Sequence, residues 1–92
     1  MVLLFHLWYF GLMKLQDIPS TVRHHFDQTP DIFGGKLRIR GTRISVEQVL
    51  ELLEAGVGPK EIVQSFPSLT EQDITAIERL AAYFALTMLQ SA

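Results

Sequence analysis

KLRIRGTRISVEQVLELLEAG, residues 36–56, is the stretch on which the fold turns, because two periods meet in it. From Lys36 to Arg40 polar and apolar residues alternate, the pattern of a half-buried strand. Leu37 and Ile39 are expected inward, with Lys36, Arg38 and Arg40 on the opposite face. Gly41-Thr42 ends the alternation. From Ser45 the period becomes helical: Val46, Val49, Leu50 and Leu53 lie on one face. Ser45 and Gln48 stand at capping-box spacing, and Gly56 is placed to end the helix in a left-handed conformation.

Downstream, Pro59 suits the first position of a second, short helix. Its buried face would be Ile62, Val63 and Phe66, and Pro67 blocks its continuation. A third helix starts from Thr70 as cap, with Asp73 three residues on and Leu69 and Ile74 spaced as a hydrophobic staple. Ile74, Ile77, Ala81, Phe84 and Met88 form its expected inner stripe. Three helices joined by the turns Gly56-Val57-Gly58 and Pro67-Ser68-Leu69 make a trihelical unit of the helix-turn-helix kind. The expected class is therefore mainly α, with a short N-terminal β arm or hairpin. From Leu80 to Leu89 the third helix is apolar on almost every side, and such a helix must be covered all round. Leu80, Tyr83, Phe84, Leu86, Met88 and Leu89 are thus candidate contacts with a second copy or another partner; the apolar N-terminus is the other candidate cover.

Upstream, Thr29-Pro30-Asp31 and Gly34-Gly35 are turn signals, and Arg23-His24-His25-Phe26 carries no legible one. MVLLFHLWYFGLM, residues 1–13, lacks the basic lead of a signal peptide and is too short to span a bilayer. Three readings are open: a mis-assigned start with Met13 as first residue, an element added to the core or to a dimer interface, or a membrane or export element. The expected organisation is an apolar extension over residues 1–23 and one domain over 24–89.

Charge is divided along the chain. Residues 1–44 hold six basic and three acidic residues, and residues 45–92 two basic and seven acidic, so a phosphate contact is expected from the first half. With 92 residues the core is small and a partner subunit is a reasonable expectation. The absence of cysteine excludes disulfides, thiol catalysis and cysteine-ligated zinc, and fits a cytoplasmic setting.

At this point the residues resemble a family. Gly34-Gly35-Lys36, Ile39 to Ile44, Gly56 and Phe66-Pro67-Ser68-Leu69-Thr70 together resemble the small bacterial family called domain of unknown function 433, over roughly residues 24–84. Asp27 to Pro30 looks like a variant of that family's Asp-Pro step. Leu37 and Ser45 depart from it, standing where the family usually has proline. The resemblance implies a homeodomain-like fold that tends to dimerise, and a type II antitoxin encoded beside a PIN-like ribonuclease toxin.

Lys36, Arg38, Arg40 and Arg43 form an arm of four cations with no acid among them. Such arms contact DNA phosphates or a minor groove, but a solvated strand face paired to Glu47, Glu51 and Glu54 explains them equally well. Arg43, at the start of the first helix, also suits holding carboxylates or carbonyls of the fold. In the third helix Gln72 is the natural base reader, although Glu71 and Asp73 beside it oppose a polyanion. Gly34-Gly35-Lys36 lacks the spacing of a phosphate loop, and adjacent His24 and His25 point apart in a regular strand. No nucleophile stands with a base and an orienting acid. The expectation is a non-enzymatic homodimer without metal or cofactor and without a membrane role, binding a PIN-like toxin and operator DNA. The alternative is a stand-alone DNA-binding regulator, or an interaction module with no toxin partner.

Overall fold

The computed structural model describes residues 14–91. Its elements are a short helix α1 (Ser20–Arg23), strands β1 (Phe26–Asp27) and β2 (Arg38–Ile39), and helices α2 (Val46–Glu54), α3 (Pro59–Ser65) and α4 (Glu71–Ser91), with 3-10 turns at Leu15–Asp17 and Phe33–Gly35. The readings of the apolar N-terminus fall on residues outside this range. Among the described residues no helix is long and apolar enough to cross a membrane.

The two strands pair antiparallel, Phe26 with Ile39 and Asp27 with Arg38. The pleat sends Ile39 into the core and Arg38 to the other face, as the alternation predicts. Hydrogen bonds through Thr42 shape the turn after β2. Its hydroxyl donates to the Ile39 carbonyl (2.8 Å) and accepts from the Ile44 amide (3.1 Å), while the Ile39 amide donates to the Ile44 carbonyl. Gly41 allows the reversal with φ +77°. The segment Arg38–Ile44 is thus a knot of backbone bonds rather than a free arm.

Helices α2 and α3 begin and end, and α4 begins, where the sequence signals it. The Ser45 hydroxyl accepts from the Gln48 amide at 3.1 Å and so supplies a cap; the expected return bond from the Gln48 side chain is not made among the described residues. After α2 the Gly56 amide donates to Leu53 and the Val57 amide to Leu52, both at 3.0 Å. These are the two bonds of a Schellman motif, and Gly56 has the φ of +90° that it needs. Pro59 opens α3. At the start of α4, Thr70 and Asp73 cap each other: the Asp73 amide donates to the Thr70 hydroxyl oxygen (3.2 Å) and the Thr70 amide to the Asp73 carboxylate (2.9 Å).

Helices α2, α3 and α4 pack on one another, and α1 lies against α4. Their apolar faces meet in one core with Phe26, Leu37, Ile39, Val49, Ile62, Leu69, Ile74, Ile77 and Leu80 buried. Ile18 and Val22 belong to the same core, so the chain packs with the domain well before residue 24. Leu80, expected at an interface, is fully buried here, and Phe84 is nearly so. The helical period explains it: Ile77, Leu80 and Phe84 follow at i, i+3, i+7 and face inward together.

Candidate functional site

The four cations of the arm are not equivalent. Arg38 is absorbed by the fold: Nε and Nη2 donate to the two oxygens of Asp27, and Nη1 donates to the Thr42 carbonyl at 2.7 Å. Both side chains of this forked pair are largely shielded, at 15% and 24% exposure. Lys36 reaches Glu47 at 3.3 Å in a more open pair. Arg40 is exposed, with one guanidinium nitrogen on the Phe26 carbonyl. Arg43 is exposed and has no hydrogen bond or ion pair among the described residues. The structure therefore leaves three of the four exposed, Lys36, Arg40 and Arg43, and of these Arg43 alone has no bonded partner among the described residues.

A second region lies on α4. Its core face carries Ile74, Ile77, Leu80 and Phe84, and its opposite face carries Gln72, Thr75, Arg79, Tyr83 and Leu86, all exposed. At 100° per residue these five fall within an arc of about 80°, so they form one row along the helix. The row is polar at its start and apolar at its end. Tyr83, Leu86 and Leu89 are 44%, 58% and 74% exposed. Met88 is half-buried.

At the polar end the row borders a cleft of about 270 Å³ between α1, the turn after it and α4. Val22 and Ala76 form its floor; Thr21, His25, Gln72, Thr75 and Arg79 form its rim. His25, silent in the sequence, is fixed by Asp73 across 48 positions of chain, its Nδ1 2.9 Å from Oδ1. An ionised carboxylate only accepts, so Nδ1 carries the proton and Nε2 is outside this bond. Burial pushes the Asp73 carboxyl up, but hydrogen bonds from His25 and Thr70 outweigh that and hold it below its ordinary value. A lowered folded value means that Asp73 contributes stability above the ordinary carboxylate range and loses it as pH falls through the lowered value. Asp73→Ala is expected to cost about 1–2 kcal/mol at neutral pH and to flatten the acid limb of the stability curve; denaturant melts between pH 7 and pH 2 measure both. An unchanged acid limb would remove Asp73 from that role.

Comparison with known proteins fits this geometry to a family. The family model described as "Protein of unknown function (DUF433)" matches residues 27–81. The chain belongs to the DUF433 family. A crystal structure of a DUF433 member from Anabaena variabilis superposes with a TM-score of 0.60 at 30% identity, covering 77% of this chain and 67% of that one. The uncharacterized protein y4eO of Sinorhizobium fredii is 33% identical over 72 residues, 78% of this chain but 30% of its own length. The chain thus spans less than a third of that relative. Within the DUF433 match lie Arg38, Arg40, Arg43, Gln72, Asp73 and Arg79; Thr21 and His25 on one side, and Tyr83, Leu86 and Leu89 on the other, lie outside it. The DUF433 region accordingly supplies the scaffold and half of the cleft, and the flanks of this chain supply the rest.

Proposed function

We propose that this DUF433 protein is a non-catalytic binding module of the antitoxin type, which seats a PIN-like ribonuclease toxin on the outer face of α4. One observation carries the reading. Tyr83, Leu86 and Leu89 stand exposed on a helix whose other face is fully used by the core. Large apolar side chains grouped in this way mark interaction surfaces. The family resemblance supplies the kind of partner, and the reading places the protein in the cytoplasm. A second copy of the chain competes for the same face, so a homodimer is the form expected before the partner binds.

DNA binding is the second reading, and Arg43 favours it as a cation with no partner among the described residues. With Arg38 and Lys36 engaged internally, DNA is a secondary contact in this proposal rather than the main one.

The test is co-expression with the adjacent reading frame. The neighbour alone is expected to arrest growth, and this chain to restore growth and co-purify with it. A harmless neighbour that does not bind would end the antitoxin reading.

A further inference from the structure

Arg79 is the sole lysine or arginine after Lys60 in a half of the chain rich in acids. It lines the cleft, and its guanidinium has no hydrogen bond or ion pair among the described residues. Beside it the Gln72 amide and the Thr21 hydroxyl are likewise unengaged. The Thr75 hydroxyl donates to the Glu71 carbonyl at 3.1 Å, which leaves its oxygen facing outward as an acceptor. Among the described residues no carboxylate lines the cleft, and Asp73, next in sequence to Gln72, is occupied by His25 and Thr70. The rim therefore offers a charged donor and two neutral ones above an apolar floor of Val22 and Ala76.

Size and charge narrow what fits. The volume of about 270 Å³ lies just under that of most small-molecule pockets and suits one side chain. A guanidinium matches a carboxylate in forked geometry, and the floor suits the methylene stem of an acidic residue. Exposed Glu71 and Glu78 on the same helix oppose a nucleic-acid strand, whose charges run on past the cleft, more than a single carboxylate. Arg79 and Leu86 lie seven residues apart on the outer row, about 10 Å along the axis. One partner segment can reach both.

We propose that this cleft is a carboxylate receptor, which takes an aspartate or glutamate side chain of a partner protein whose apolar residues lie on Tyr83 and Leu86. The inference rests on the protein-binding reading of the outer face, and its test is separate from the toxin. The full chain, labelled with nitrogen-15, is titrated with N-acetyl-glutamate amide, with its uncharged glutamine isostere, and with inorganic phosphate. The glutamate derivative should produce saturable shifts at Thr21, Gln72, Thr75 and the Arg79 Nε, with half-saturation on the order of 10 mM. Glutamine should not saturate, and Arg79→Gln, a change at an exposed position, should weaken the response at least about fivefold. No saturation with glutamate, an equal response to glutamine, or a response that survives Arg79→Gln would overturn the proposal. So would tighter binding of phosphate, which would reassign the cleft to a phosphate ligand. Saturable glutamate binding in a chain that captures no neighbour would retain the receptor and sink the toxin.

Discussion

Leu80→Ala is expected to lower stability by about 2–5 kcal/mol, whereas Leu86→Ala, six residues along the same helix, should stay within about 0.5 kcal/mol. Leu80 is fully buried between α4 and the rest of the core; Leu86 is 58% exposed. Truncating Leu80 removes its burial and leaves a cavity whose walls relax only in part. Truncating Leu86 removes atoms that already touch water. A chain of 92 residues has a small stability margin, so the first variant should be largely unfolded at 37 °C. Urea melts followed by circular dichroism, at low protein concentration, separate the two. Equal losses would mean that the outer face of α4 is buried in solution as well, and that a permanent assembly covers it.

Arg38→Ala is the second large effect, at about 2–3 kcal/mol, against less than about 0.5 kcal/mol for Arg43→Ala. The pair with Asp27 is only partly shielded, so the loss falls below that of a fully buried ion pair. It still exceeds a surface pair, because the substitution strands Asp27 and also deprives the Thr42 carbonyl of its donor. Asp27→Ala should cost a similar amount, and the double variant less than the sum of the two. In a DNA titration against salt, Arg43→Ala should reduce the slope by about 0.9 if it neutralises one phosphate. Arg38→Ala should change that slope only through loss of the fold. A stable Arg38→Ala protein with a flattened slope would restore Arg38 to the DNA-contacting arm.

The helices were legible because their signals are local. Ser45, Gly56, Pro59 and Thr70 each act within four residues of their position, and each works in the structure as its type suggests. Val46, Val49, Ile74 and Ile77 declare their face by period alone. The strand was legible from Leu37 to Arg40, but its partner was not: Phe26–Asp27 is too short to show a period, and only pairing reveals it. Arg38 looked like a free cation because its acid lies eleven residues upstream, beyond any pattern of spacing. The same limit hid His25, whose partner Asp73 is 48 residues away. Leu80 reads as a partner contact, and Phe84 as both inner stripe and partner contact, because the end of α4 is apolar all round; only the packing shows which of its faces the core takes. Arg79 carried a faint signal as the lone base of an acidic half, and Gln72, Thr75 and Arg79 stand at i, i+3, i+7. What the sequence lacked was the opposite wall of the cleft, supplied by Thr21 and His25.

The most direct measurement is capture of the adjacent gene product by the full chain and by Leu86→Asp, purified in parallel, with circular dichroism and melting temperature as the fold control. Position 86 faces solvent in the single chain, so at protein concentrations low enough to hold both as monomers the variant should melt within a few degrees of the wild type. If the outer face of α4 seats the partner, the buried charge should reduce capture at least about tenfold while the wild type captures in full. A folded Leu86→Asp chain that captures as much partner as the wild type would contradict the assignment of that face.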